Sequence, residues 1–174
     1  MKKVVFLVTL IMFVLAPAVF AEKKTVNYKK AEEFMVEYYN AYNLYAQDAE
    51  TMDLMDEYWA PEFISMQYLP IPDCPLIMDL TTWKFFMVGA HMNLQETLNL
   101  EELSIDTKKL SAVARLSIDF NDRNTGALVL NVDCVAFYIL KVNKKNKIQI
   151  TCLKLYFSDP YALMAISPGP PPGM

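Results

Sequence analysis

Few side chains in this chain have the chemistry for proton transfer. His91 is the only histidine, and an imidazole titrates near neutral pH, so it is the first candidate for an acid or base. The alternative is a histidine near a helix end that is exposed or bonded to the backbone. Asp119 and Asp133 are the candidate carboxylates, because they lie in segments that alternate as strands do, where Asp is uncommon.

Other kinds of site lack their sequence patterns. Glycine is scarce and neither G-x-G-x-x-G nor G-x-x-x-x-G-K occurs, so we expect no phosphate-binding loop. No G-x-S-x-G is present to carry a serine nucleophile. Because there is one histidine and no cluster of acids, we also expect no metal site and no cofactor.

A set of aromatic and sulfur-containing side chains predicts an apolar pocket. Its members recur on the predicted helices and first strand, where they could surround a ring-shaped ligand. The set consists of Tyr38, Tyr42, Trp59, Tyr68, Trp83 and Met87. The alternative is that these side chains only fill a core.

The elements that must position these residues follow from the hydropathy pattern. Steps of three and four residues predict helices that begin at Tyr28, after Asp48 and at Leu80, the last running to about Leu94. Asp79 is the expected cap of the third helix. A short strand is predicted over residues 63–69, between the second and third helices.

Beyond the third helix the pattern changes to alternation, which predicts four antiparallel strands. They run over Leu98–Ile105, Leu110–Phe120, Ala127–Val142 and Lys147–Phe157. If Phe120 lies opposite Leu128, Arg115 pairs with Asp133 on the polar face of the sheet. Both candidate aspartates then lie outside the core.

The first 21 residues have the pattern of a cleavable secretory signal peptide. Lys2 and Lys3 precede an apolar run of about 12 residues, which is too short to cross a bilayer. Val19 and Ala21 place small residues at a cleavage site after Ala21. An uncleaved N-terminal anchor is the alternative. We expect an exported protein, periplasmic or secreted, with no stable membrane anchor after cleavage.

The remaining chain divides into a polar leader (22–27), one domain (28–160) and a Pro/Gly-rich tail (161–174) that we expect to be disordered. After cleavage it has 14 basic and 20 acidic residues. An acidic chain without basic clusters argues against nucleic acid and against anionic lipid as partners.

Three cysteines remain in the exported chain, Cys74, Cys134 and Cys152. An odd number allows at most one internal disulfide. The predicted registers place Cys134 and Cys152 on opposite faces of the sheet, which excludes a bond between those two. The disulfide state is otherwise open, and buried free thiols are the alternative.

The order helix, short helix, strand, helix and four strands resembles the nuclear transport factor 2-like superfamily, especially its SnoaL-like branch. The ending Tyr156–Pro160, with its pattern aromatic-aromatic-x-Asp-Pro, resembles the end of the last strand there. The resemblance covers about Tyr28 to Asp159. It implies an α+β fold, a curved antiparallel sheet wrapped around N-terminal helices, cone-shaped with an apolar cavity. It also implies that any acid or base lies inside the cone.

This superfamily contains isomerases, dehydratases, hydrolases and cyclases beside non-catalytic binding domains, so the fold alone leaves the function open. We expect an exported small-ligand-binding or interaction domain with an apolar pocket. The alternative is a lyase, isomerase or hydrolase that uses His91 with a carboxylate. We also expect a homodimer through one face of the sheet, formed by Val135, Phe137, Ile139, Ile148 and Ile150.

Overall fold

The computed structural model describes residues 26–68, 75–159 and 161. The signal peptide, most of the leader, Cys74 and nearly all of the tail lie outside the described residues, so the predictions about them stay predictions. None of the helices within the described ranges is long and apolar enough to span a membrane.

Three helical segments form where the sequence predicts them. They are α1 (Tyr28–Tyr45), a 3₁₀ helix (Met52–Glu57) and α2 (Leu80–Ala90). Asn27 caps α1 by accepting the backbone N–H of Lys30 at 2.8 Å. Asp79 caps α2 as predicted, accepting the N–H of Thr82 at 2.8 Å.

Six strands form one sheet in the order β2-β1-β6-β5-β4-β3. They are β1 (Trp59–Tyr68), β2 (Leu76–Asp79), β3 (Leu94–Asp106), β4 (Ser111–Asp122), β5 (Leu128–Val142) and β6 (Ile148–Phe157). The α+β prediction is confirmed, but the sheet is mixed, because β1 runs parallel to β6. Sequence analysis missed β2, which is too short to show alternation.

The faces of the β4–β5 hairpin are as predicted, and its register differs by two residues. Phe120 lies opposite Leu130 rather than Leu128, beside an irregularity between Phe120 and Asn121. A shift by two leaves every side chain on its predicted face, whereas a shift by one would have reversed them all. We call the buried face the inner face and the opposite one the outer face.

The shifted register removes the predicted contact between Arg115 and Asp133. Arg115 lies opposite Val135 in β5, and its guanidinium pairs instead with Glu101 and Glu102 of β3, at 2.9 and 3.1 Å. β3 has a bulge at these two glutamates. Both carboxylates thereby reach the same arginine.

The prediction that Ile148 and Ile150 lie on the outer face is wrong, because of a bulge between β5 and β6. Ile139 pairs with Cys152 but Leu140 pairs with Ile150, so β6 contains one unpaired residue and its alternation reverses there. Ile148 and Ile150 therefore lie on the inner face, 5% and 0% exposed, and cannot take part in the predicted dimer surface.

The two described cysteines lie on opposite faces, as predicted. Cys134 is buried on the inner face, Cys152 is partly exposed opposite Ile139, and both are free thiols. Burial raises the pKa of the Cys134 thiol to about 12, so it remains a neutral, unreactive side chain at ordinary pH.

Candidate functional site

Three polar side chains meet among the apolar residues between α1, α2 and the inner face. Glu96 Oε2 lies 2.8 Å from His91 Nε2 and accepts a hydrogen bond from the Tyr42 hydroxyl at 3.0 Å. All three residues are buried; His91 is 3% and Glu96 8% exposed. Burying a carboxylate carries a large free-energy cost unless it is paired and hydrogen-bonded, and here it is both.

The partners of His91 show where its protons lie. Nδ1 lies 2.5 Å from the backbone carbonyl oxygen of Met87, which can only accept, so Nδ1 carries a proton. Nε2 lies 2.8 Å from Glu96 Oε2, and a hydrogen bond at this distance requires one proton between the two atoms. The pair is either imidazolium with carboxylate or imidazole with carboxylic acid. In both forms it can give up or take a proton.

Tyr42 acts on this pair as a donor. Burial raises the pKa of its phenol well above the usual value, and the negative charge of Glu96 raises it further. The hydroxyl therefore keeps its proton and directs it to Glu96 Oε2.

Two side chains, Asn43 in α1 and Gln47 just beyond its end, hold Glu96 in place by covering the free edge of β3. Asn43 bonds both backbone groups of Leu98, accepting the N–H at 2.8 Å and donating to the carbonyl at 3.0 Å. Four residues later, in the turn after α1, Gln47 bonds both backbone groups of Glu96 in the same manner. The backbone of Glu96 is thereby fixed against the C-terminal end of α1.

Arg123 fastens the segment that carries His91. Its Nε–H is shared between the carbonyl oxygens of His91 and Leu94, at 2.7 and 2.9 Å, and Nη2 donates to the carbonyl of Gln47 at 2.8 Å. The guanidinium therefore links the ends of α1 and α2 to the start of β3. Sequence analysis did not single out Arg123, because it lies between two predicted strands, where alternation assigns no face to a side chain.

A cavity of about 20 Å³ lies beside the carboxylate of Glu96. Its lining consists of Tyr38, Tyr42, Trp83, Glu96, Leu98, Leu116, Ile118, Tyr138, Leu153, Leu155 and Phe157. This volume holds about one water molecule, whereas pockets for small molecules occupy roughly 300–1,000 Å³. With the side chains in these positions the interior is closed.

The predicted pocket residues divide into three groups. Tyr38, Tyr42 and Trp83 line the cavity, while Trp59 and Met87 are buried in the surrounding core. Tyr68 lies apart from them, since its ring stacks on the outward-facing Tyr156 with centroids 4.2 Å apart.

The predicted carboxylates lie away from His91, on the outer face. Asp119 accepts hydrogen bonds from Asn99 at 3.0 Å and from Asn131 at 2.7 Å, in a solvent-exposed network. Asp133 is also exposed. Neither is brought to the interior.

Sequence analysis missed Glu96, the carboxylate that does reach His91. The third helix was expected to run to about Leu94, and the alternation was recognised only from Leu98. Extending that alternation backwards places Glu96 on the same face as Leu98 and Leu100, and an acid on an apolar face is the signal.

No three His, Cys, Asp or Glu side chains are grouped so as to hold a metal ion, as far as the described ranges show. The His91–Glu96 pair offers only two such groups, and the third side chain that contacts the carboxylate is the phenol of Tyr42. The arrangement thus offers proton transfer and hydrogen bonding to a bound molecule.

Comparison with known proteins shows likeness in structure only. No family model matches the chain, and no curated protein sequence matches it either. Among solved structures, a candidate SnoaL-like polyketide cyclase from Jannaschia sp. CCS1 has a TM-score of 0.58 at 14% identity. The match covers 82% of this chain and 94% of that one.

Two further structures show the same likeness. The pinacolase BvnE from Penicillium brevicompactum has a TM-score of 0.61 at 11% identity, over 82% of this chain and 93% of its own. An NTF2-like protein of unknown function from Shewanella baltica has a TM-score of 0.53 at 12% identity, over 77% and 98%. The chain therefore has the fold that these SnoaL-like and NTF2-like proteins share.

Proposed function

We propose that the interior of this domain binds a small, mainly apolar molecule that carries one polar group. The observation that supports this is a single buried carboxylate, Glu96, set in a lining of aromatic and aliphatic side chains. Ligand sites combine these two features, an apolar wall and a few oriented polar groups. A purely structural core would be no less stable with an apolar residue at this position.

Binding requires the interior to open, because the present cavity holds only one water. Phe157 is the one lining residue that is partly exposed rather than buried. It lies at the end of β6, opposite Cys134, on the last pair of the β5–β6 ladder. Rotation of its ring away from the sheet would connect the cavity to solvent, so we propose Phe157 as the entrance.

Truncation of Phe157 tests the proposal directly. In Phe157→Ala the removed ring leaves space next to the cavity, and we expect toluene to bind more tightly than to the unsubstituted protein in a calorimetric titration. Phe137→Ala removes the same ring from the outer face of β5 and should leave toluene binding unchanged. Absence of binding to all three proteins would show that the interior is only a core.

Acid–base catalysis is a second candidate function, favoured by the 2.8 Å contact between His91 and Glu96. In this function Glu96 takes a proton from a bound molecule, and His91 and Tyr42 stabilise the pair as the charge moves. A general test is exchange of the protons next to the carbonyl of cyclohexanone in D₂O, followed by NMR. Faster exchange with the protein than with Glu96→Gln supports catalysis, and equal rates leave binding as the function.

We propose that the homodimer forms through the outer face of the sheet. Val135, Phe137 and Ile139 project from β5, and Val113 and Tyr156 lie exposed on its two neighbours, β4 and β6. An apolar patch in the middle of a sheet is typical of an interaction surface. A molecular mass that rises from one copy to two with concentration, measured by sedimentation, supports self-association.

We further propose that the domain works outside the cytoplasm, as the N-terminal sequence predicts. Expression of the full chain in a bacterial host tests this. A mature protein that begins at Glu22 and is released with the periplasmic fraction is the expected result. An intact N-terminus in the membrane fraction would instead support the uncleaved anchor.

A further inference from the structure

The indole group of Trp83 is a buried donor without a partner. The residue is 1% exposed and lines the cavity, and its Nε1–H makes no hydrogen bond to any described residue. Buried donors in folded proteins nearly always have a partner, because an unmet one costs about 1–3 kcal/mol. The Trp59 indole N–H is also without a partner among the described residues, but of the two tryptophans only Trp83 lines the cavity, so an acceptor for its N–H can be supplied from inside the cavity.

The same cavity is lined by the carboxylate-bearing Glu96 and by Tyr42. These two supply acceptor oxygens, whereas Trp83 supplies a donor. A group between them must accept one hydrogen bond and donate another. Water and hydroxyl groups do both, but an ether or ketone oxygen cannot donate, and a hydrocarbon does neither. The volume of about 20 Å³ is sufficient for one oxygen atom with its hydrogens.

We propose that this cavity is a subsite for a single oxygen atom, occupied by a water in the resting protein and by a hydroxyl group of the ligand in the complex. The oxygen accepts from Trp83 Nε1–H and donates to the carboxylate of Glu96. The ligand class is thus an alcohol or phenol with an apolar body. This identification of the ligand rests on the proposed function, whereas the resting water does not.

The resting water is tested by NMR on the unliganded protein. The chain has two tryptophans, so two indole N–H signals appear, and the one missing in Trp83→Phe belongs to Trp83. We expect magnetisation transfer from a long-lived water to the Trp83 indole proton. Absence of this transfer overturns the water site. Transfer of equal strength in Glu96→Leu would show that Glu96 does not bind the water.

The ligand class is tested with phenol and toluene, which differ only by hydroxyl against methyl. We expect phenol to bind about tenfold more tightly than toluene, because only the hydroxyl hydrogen-bonds to Trp83 and Glu96. In Trp83→Phe the hydroxyl keeps only its bond to Glu96, so the preference should fall. Trp59→Phe is the matched control, because Trp59 lies in the core but does not line the cavity, and it should keep the preference.

The outcomes separate the two proposals. Equal binding of phenol and toluene overturns the oxygen subsite for ligands and leaves the apolar binding function in place. Binding of neither probe, to this protein or to Phe157→Ala, overturns the binding function. In that case the magnetisation transfer from water to the Trp83 indole proton still decides whether the cavity of the unliganded protein holds a water molecule.

Discussion

Each face of the sheet carries a pair of basic and acidic side chains, and the two pairs lie in opposite settings. On the inner face His91 and Glu96 are buried and bonded to fixed partners. On the outer face Arg115 pairs with Glu101 and Glu102 in solvent. The inner pair is costly to bury and constrained by its surroundings, whereas the outer one is screened and contributes little. We therefore expect the function at the inner face, where burying the charged group costs the most folding free energy.

High pH should distinguish the faces most strongly. Burial raises the pKa of four inner phenols, those of Tyr38, Tyr39, Tyr42 and Tyr138, well above the usual value. The folded state therefore holds these protons more tightly than the unfolded state. Their contribution to stability is complete below the unfolded pKa of about 10 and is lost as pH rises above it. Ultraviolet titration should show these four ionising only together with unfolding, and their ionisation in the folded protein would contradict this.

Removing one member of each ion pair gives the next largest difference. In His91→Leu the Glu96 carboxylate stays buried without its imidazole, which should lower the free energy of unfolding by about 3–5 kcal/mol. Arg115→Leu on the outer face should lower it by about 1 kcal/mol or less. Urea denaturation measures both. Equal losses would mean that burial does not separate the faces.

A smaller effect is expected from a neutral hydrogen bond on the inner face. The Tyr39 hydroxyl donates to that of Tyr138 at 2.8 Å, and both are buried. Tyr39→Phe leaves the Tyr138 hydroxyl without this partner and should cost about 1–3 kcal/mol of unfolding free energy. The double variant with Tyr138→Phe removes both groups and should be no less stable than Tyr39→Phe. A cost equal to the sum of the single variants would contradict the pairing.

The smallest effect on folding should come from the outer patch. Phe137 is 42% exposed, so Phe137→Asp should change the free energy of unfolding of the monomer by only about 0.5 kcal/mol. The same change places a charge in the proposed dimer surface and should abolish self-association in sedimentation experiments. A dimer that survives this substitution would place the contact elsewhere.

Sequence patterns predicted the elements better than the way they join. Alternation located β3 to β6, and Asp79 located the start of α2, because both signals are local. The bulge near Ile139 reverses the face of Ile148 and Ile150 through one unpaired residue, and no local preference marks it. The strand β2 forms only because β1 offers it an edge.

The candidate site shows the same division. His91 was found by its residue type, and Tyr42 by its place on the apolar stripe of α1. Glu96 was missed because it lies near the boundary between α2 and β3, which the sequence pattern did not locate. Arg123 was missed because it lies in a turn. The three carbonyl groups that Arg123 bonds belong to Gln47, His91 and Leu94, so the role of Arg123 depends on the assembled fold.

The cover that Asn43 and Gln47 place over β3 also bears on how copies of this protein can aggregate. Edge strands with free backbone groups are where chains exchange strands or add to one another. At Glu96 and Leu98 those groups are already bonded by Gln47 and Asn43, so this part of the edge cannot recruit a further strand. The opposite edge, β2, is four residues long and pairs within the described residues only with β1. Strand addition is thereby blocked at the start of β3, next to the buried His91–Glu96 pair.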